Sequence, residues 1–253
     1  MTPKSAGGRP EEPYGRWRVD GADLLRRAID HALPGVEAVK DDRLSAPTPC
    51  RAWNLGTLLR HLNASVAAID EALTTGRVAP AGAGPGGGQE GGAGPAAYLV
   101  AAFRELALRI RDACVGGLPG LIVIGDLRLM PGIVAATGAL EIAVHAWDID
   151  HACGRHRRIP RDLAVDLLEI CPYVVPADVR SLLFAPPVPI PASCDPGHRL
   201  VAFLGRRPCR TPGPGFDLDE RLALVVGRLL RRRPPGRYVG DRSVGNDDAT
   251  PTM

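Results

Sequence analysis

The chain has 253 residues, 45% of them hydrophobic and only 4% aromatic, so it can bury a core made mainly of Leu, Val, Ile and Ala. The net charge of +3 and the scattered basic residues exclude an extended nucleic-acid-binding surface. No signal-like apolar core or run of about 18 apolar residues is visible, and the six cysteines form no C-x-x-C pair; we therefore expect a cytoplasmic protein with free thiols and no membrane or nucleic-acid partner.

The first part of the chain predicts two helices. Residues 1–19 have the composition of a disordered tail, and apolar residues at helical spacing then predict a helix over 21–33. A proline-containing link follows over 40–53. Helical periodicity returns in "NLGTLLRHLNASVAAIDEAL" (54–73), where Asn54 is suited to be the N-cap.

The middle of the chain predicts a linker, a third helix, a short hairpin and a fourth helix. Gly and Pro dominate residues 74–97, which predicts a flexible connection before a helix over 96–114. The β-branched residues around Gly-Asp in "GLIVIGDLRLMP" favour a short strand or hairpin. The fourth helix is predicted in "GALEIAVHAWDIDHACG" (138–154), ended by Gly154.

Shorter helices are predicted near the C-terminus. They cover 161–171 and 197–205 and are separated by the proline-rich segment 184–197. Residues 217–233 form an amphipathic pattern with acids at its start and arginines at its end, which suits the helix dipole. Residues 234–253 have the composition of a tail. The pattern predicts an all-α protein, an antiparallel four-helix bundle with additional C-terminal helices.

Polar residues lie on the apolar side of the fourth helix. At about 100° per residue, Glu141, His145 and Asp148 fall within about 60° of one another, between two apolar borders. Burying carboxylates without a counter-charge would cost several kcal/mol each. The positive charge could come from an arginine of the third helix, Arg104 or Arg111, or from a divalent cation, for which Glu141 and His145 at i, i+4 are suitably spaced.

A histidine on the second helix could be a third metal ligand. His61 lies beside the apolar stripe of that helix, next to small residues that leave space around its imidazole. His151 is about 80° away from Glu141, so it is poorly aimed at the same ion. Cys50 could act as a thiol at the metal or simply be a small buried side chain.

Three motifs resemble those of a known family. The segments "APTPCRAWNLGTLLRHLNA", "LEIAVHAWDIDHACG" and "FAPPVPIPASCDPGHRLVAFLGRRP" are similar to the actinobacterial, mycothiol-dependent maleylpyruvate isomerase-like branch of the DinB superfamily. This resemblance implies a metal-binding bundle over residues 20–210, and the helix predicted over 211–233 and the tail over 234–253 lie beyond the part that it covers. It also implies a divalent metal, usually zinc (Zn2+), held by His61, Glu141 and His145.

The resemblance further implies a function. Relatives use mycothiol for isomerisation or S-conjugation, so we expect an enzyme that activates this thiol toward a small electrophilic metabolite, with Asp148 as a catalytic carboxylate that supports a ligand or orients the substrate. Two alternatives stay open: a thiol-independent Lewis-acid tailoring or cyclising enzyme, and a metal- or small-molecule-binding protein without turnover. The protein is expected to be a monomer or homodimer.

Overall fold

The structure of the protein is a computed structural model that describes residues 19–50, 53–78, 95–175, 180 and 184–208. Six α-helices and three short strands lie in these residues. The helices are α1 (Gly21–Glu37), α2 (Leu55–Thr75), α3 (Pro95–Gly116), α4 (Pro131–Ala152), α5 (Arg161–Val174) and α6 (Pro196–Phe203), with a 3-10 turn at Asp41–Arg43. The strands are β1 (Arg77–Val78), β2 (Ile122–Ile124) and β3 (Leu127–Leu129).

Local sequence signals explain most helix ends. Asn54 caps α2 as predicted, since its side chain accepts a hydrogen bond of 2.9 Å from the Thr57 amide. The fourth helix begins at Pro131, seven residues before the predicted start, because proline is favoured in the first helical turn. It ends at Ala152, and Gly154 follows in the left-handed region at φ 73°.

Helices α1 to α4 form the expected all-α bundle. α1 packs on α3 and α4, and α2 packs on the same two helices, so α3 and α4 lie diagonally across the bundle from each other. Gly21 approaches Gly132, and Gly35 approaches Asp150, so α1 and α4 run in the same direction. Most of the apolar core fills the space between these helices.

The other two helices run the opposite way. The Asn63 side chain donates to Leu99 O at 3.0 Å, and further along both helices Asp70 pairs with Arg109, so α2 and α3 are parallel to each other. Each helix of the bundle therefore has one parallel and one antiparallel neighbour. The end of α2 and the start of α3 therefore lie at opposite ends of the bundle.

A small sheet closes one end of the bundle. β2 and β3 form the predicted antiparallel hairpin around Gly125, which has φ 58°. β1 pairs in parallel with β2, with Arg77 opposite Val123. The segment expected to be a linker, 74–97, therefore has an ordered start in α2 and β1 and an ordered end in α3, while 79–94 lie outside the described residues.

The C-terminal part of the described chain packs beside the bundle. α5 and α6 contact each other, and α5 also contacts α1 and α4. These two helices confirm the predictions over 161–171 and 197–205. Residues 1–18 of the tail predicted over 1–19, the extra helix predicted over 211–233 and the tail predicted over 234–253 lie outside the described residues.

α4 is the most buried helix of the bundle. By length and composition it is long and apolar enough to cross a membrane, but 72% of its apolar 18-residue segment is buried inside the fold. A core helix of a soluble protein has the same properties, so α4 is weak support for a membrane span.

A buried charge cluster fastens the segment after α4 to α1. Asp150 is fully buried and pairs with Arg155 Nε at 2.8 Å and Arg157 Nη1 at 3.4 Å. The same two arginines donate to the carbonyls of Gly35 and His31. Burial, followed by the nearby Arg157 charge, lowers the pKa of His31 to about 4, so this histidine is neutral in the folded protein at pH 7.

The first prediction concerns the contact between α1 and α4. A Cβ at Gly21 would meet the backbone carbonyl of Gly132, which cannot move aside, whereas a Cβ at Gly132 would meet nothing within 4 Å. We expect Gly21→Ala to lower the free energy of unfolding by about 1–3 kcal/mol and the matched control Gly132→Ala to change it by about 0.5 kcal/mol or less. Denaturant unfolding measures both, and equal effects would contradict the close approach.

The second prediction concerns acid stability. Because His31 has a pKa of about 4 when folded and about 6.5 when unfolded, the unfolded state binds the additional proton between these values. His31 therefore reduces the stability as the pH falls from about 6.5 to about 4, by about 3 kcal/mol in total. His31→Gln should flatten the dependence of the unfolding free energy on pH in this range. Equal slopes in the wild type and the variant would count against a neutral buried His31.

Candidate metal centre

Three predicted ligands meet between α2 and α4. His61 Nε2 lies 2.8 Å from Glu141 Oε1, and His145 Nε2 lies 3.2 Å from the same oxygen. Glu141 and His145 share a face because they are four residues apart on α4. His61 reaches them because α2 runs antiparallel beside α4. The donor atoms of these three side chains all lie within 4.8 Å of one another.

The site lies at a partly open edge of the bundle. The side chains of His61 and Glu141 are each 17% exposed, while that of His145 is 6% exposed. The Trp53 ring lies 4.5 Å from the His61 ring and 6.3 Å from the His145 ring, centroid to centroid. Ser65 donates to Glu141 Oε1 at 3.2 Å. The Trp53 indole therefore covers one side of the centre, and solvent reaches the centre at the edge of the bundle.

Asp148 lies behind the centre. It is fully buried, and its Oδ2 lies 3.1 Å from His145 Nδ1 and 2.9 Å from Arg206 Nη2. Cys50 Sγ donates to the same oxygen at 3.1 Å. Burial alone would raise the pKa of Asp148, but Arg206 and then His145 outweigh it and bring the pKa to about 2. Asp148 is thus an ionised carboxylate that contacts protein groups, which favours support of His145 over contact with a substrate.

The charges of Glu141 and His145 stabilise each other. Burial acts to raise the pKa of Glu141, yet the imidazoles of His145 and His61 hold it well below its usual value. Burial acts to lower the pKa of His145, yet Glu141 and Asp148 raise it well above its usual value. In the absence of another cation, a protonated His145 imidazole supplies the positive charge beside Glu141, while Arg206 supplies the one beside Asp148.

The donor set of His61, Glu141 and His145 fits a divalent metal such as zinc. Bonds of about 2.0–2.1 Å in a tetrahedral site place ligand atoms about 3.3 Å apart, close to the two contacts of 2.8 Å and 3.2 Å made by Glu141 Oε1. Pairing of His145 Nδ1 with Asp148 leaves Nε2 directed at Glu141, the arrangement in which a carboxylate orients a histidine ligand.

A second group of possible donors does not fit a cation. Cys50, His145 and Asp148 also have their donor atoms within 4.8 Å of one another. However, Arg206 Nη2 lies 3.0 Å from Cys50 Sγ and 2.9 Å from Asp148 Oδ2. The guanidinium already occupies this position and supplies its positive charge.

The structure brings together all four residues selected from the sequence, and their roles in metal binding and catalysis stay predictions. The alternative prediction, that an arginine of the third helix supplies the counter-charge, is wrong. Arg104 and Arg111 instead pair with Glu37 and Asp30 of α1, at 3.5 Å and 3.4 Å.

Sequence reasoning missed one functional residue and left another open. Arg206 belongs to the closing motif "FLGRRP", which contributed to the family resemblance but in which no residue was assigned a role. Its position directly after a helix-ending glycine was the available signal.

Cys50 is a buried thiol in contact with Asp148 and Arg206. His151 stacks on Trp147 with ring centroids 3.6 Å apart, away from the three proposed ligands.

Comparisons with known proteins agree with this description. The family model "Mycothiol maleylpyruvate isomerase N-terminal domain" matches residues 25–150, which include the three proposed ligands. Two uncharacterized proteins of Mycobacterium tuberculosis, MT0763 of strain CDC 1551 / Oshkosh and Rv0738 of strain ATCC 25618 / H37Rv, are each 28% identical over 186 residues. The alignments cover 72% of this chain and 94% of each relative. No solved structure matches the chain significantly.

The third prediction tests the ligand set. After loading with zinc and gel filtration, the wild type should retain about one metal ion per chain, and His61→Ala and Glu141→Ala should each lose most of it. His151→Ala is a matched control, a histidine on α4 outside the cluster, and should retain the metal. Elemental analysis gives the answer. A metal-free wild type would contradict the centre, and retention in both ligand variants would contradict the assignment.

Proposed function

This chain belongs to the mycothiol maleylpyruvate isomerase N-terminal domain family, and from that membership we propose a divalent-metal-dependent enzyme that activates a low-molecular-weight thiol, mycothiol. The thiol is transferred to a small electrophilic metabolite or catalyses its isomerisation. The observation that supports this proposal is the convergence of His61, Glu141 and His145 at a partly open edge of the bundle.

The donor set is suited to catalysis. Three protein ligands would leave a position on a bound zinc ion open to a thiol or substrate, which is typical of catalytic rather than structural zinc sites. A zinc ion there would supply Lewis acidity that favours the thiolate form of a bound thiol at neutral pH. The 17% exposure of His61 and Glu141 gives such a thiol a route to the centre from solvent.

The residues around the centre have distinct tasks in this proposal. Trp53, 4.5 Å from the His61 ring, forms an apolar wall that excludes water from one side. The Ser65 hydroxyl donates to Glu141 and helps to hold that carboxylate in place. Asp148, which is fully buried, holds His145 and is a positioning residue rather than a substrate contact.

The cellular setting follows from the chemistry. Low-molecular-weight thiols are kept reduced in the cytoplasm, so we place the protein there. The described cysteines are compatible with this location, since Cys50, Cys114, Cys153, Cys171 and Cys194 are all free thiols. A small-molecule electrophile is the remaining partner, and a monomer or homodimer is the proposed assembly.

The fourth prediction tests the thiol. Zinc-loaded protein should consume maleylpyruvate, or a general electrophile such as monochlorobimane, only when mycothiol is added. His61→Ala should lower the rate by at least about 100-fold, whereas His151→Ala should leave it within about twofold. Chromatography of thiol, electrophile and product measures the rate.

The same assay separates the alternative functions. Turnover that is equal with and without thiol would contradict thiol activation and favour a Lewis-acid tailoring enzyme. Metal-loaded protein that binds the electrophile by calorimetry but turns over none with mycothiol would favour a binding protein. Either result would reject the proposed activity while leaving the metal centre intact.

A further inference from the structure

We infer that Arg206 is a positioning residue for the metal centre: it holds Asp148, which in turn orients His145. We also infer that the turn at the C-terminal end of α6 places Arg206 beside Asp148. This inference rests on the proposed function, because His145 is one of the proposed ligands. Arg206 lies beyond the residues matched by the family model, which end at 150.

The end of α6 fixes the path of the chain into the bundle. The Gly205 amide donates to Ala202 O at 3.0 Å, and the Arg206 amide donates to Val201 O at 2.9 Å. This pair of bonds is the Schellman motif, which ends a helix with a residue in the left-handed region. Gly205 has φ 81°, and a Cβ there would lie 2.6 Å from Ala185 O, so glycine is required on both grounds.

The guanidinium of Arg206 is held from several sides. Nη2 donates to Asp148 Oδ2 at 2.9 Å, and Nη1 donates to Leu204 O at 3.1 Å. The Phe184 ring lies below it, with its centroid 5.9 Å from the guanidinium carbon. With a side-chain exposure of 8%, Arg206 has little freedom to leave this position.

The same contacts continue to the proposed ligand. Asp148 Oδ2, which accepts from Arg206, also lies 3.1 Å from His145 Nδ1. Cys50 closes the cluster, because its thiol donates to Asp148 and its sulfur lies 3.0 Å from Arg206 Nη2. The carboxylate is thus fixed between a permanent cation and the imidazole whose other nitrogen faces the centre.

Removal of the guanidinium would leave Asp148 as a buried charge without its strongest partner. Such a carboxylate changes its rotamer, becomes protonated or is hydrated by a water molecule that enters the core. In each case the His145 ring loses its fixed orientation. Groups that orient a histidine ligand in this way typically change metal affinity by about 10–100-fold when they are removed.

The chain contains a matched control for this effect. Asp148 and Asp150 are both fully buried on α4, and each pairs with an arginine from a later segment. The Arg206 pair has a distance of 2.9 Å and the Arg155 pair 2.8 Å. Only the first carboxylate contacts a proposed ligand, so loss of Arg155 should reduce stability without changing the centre.

The test compares Arg206→Met, Arg206→Lys and Arg155→Met by zinc affinity in chelator competition and by the visible spectrum of the Co2+ form. We expect Arg206→Met to bind zinc about 10–100-fold more weakly, with an altered Co2+ spectrum. Arg206→Lys should recover part of the affinity because it restores the charge without the planar fork. Arg155→Met should keep the wild-type affinity and spectrum despite a lower melting temperature.

The outcomes separate this inference from the proposed function. Wild-type affinity and spectrum in Arg206→Met would overturn the positioning role and leave the metal centre in place. A wild type that binds no zinc would overturn both. If Arg206→Met does not fold, Gly205→Ala decides, because it keeps the guanidinium but strains the turn. An unchanged zinc affinity and Co2+ spectrum in that variant would overturn the inference, and a weakened affinity supports it.

Discussion

The structure depends on how three carboxylates are compensated on one core helix. Glu141, Asp148 and Asp150 all lie on α4, and a buried carboxylate without a partner costs several kcal/mol. Two imidazoles compensate the first and Arg206 the second, while Arg155 and Arg157 compensate the third. Segments that follow α4 in the chain must therefore fold back onto it, which accounts for the packing of the C-terminal part against the bundle.

The groups that neutralise the three carboxylates differ in whether they can lose their charge, and this difference indicates which carboxylate belongs to the reactive centre. Asp148 and Asp150 face guanidinium groups that stay charged at every physiological pH, and neither carboxylate is exposed. Glu141 faces imidazoles, which can release a proton to solvent when a cation binds, and it lies at an edge that solvent reaches. Two rigid charge pairs thus lie on the same helix as a more exchangeable one, and the Asp148 pair supports the metal centre from behind.

Much of the fold and the positions of all four predicted site residues could be predicted from the sequence because they follow from periodicity. The i, i+4 spacing on α4 and the position of His61 on α2 are local properties of helices. The counter-charge of Asp148 was not predictable in this way. The third helix offered nearby arginines in sequence, but α3 lies diagonally across the bundle from α4. Strand β1 was also missed, since its two residues become a strand through pairing with β2.

The order of the compensating groups along the chain has a consequence for biosynthesis. A ribosome releases α4 before Arg155 and well before Arg206, so the nascent helix carries charges that nothing yet neutralises. The four bundle helices can pack together at that stage. However, Asp148 on α4 lacks its arginine partner until α6 has emerged and its terminal turn has formed. The last described turn of the chain, although outside the bundle, therefore completes the folding unit.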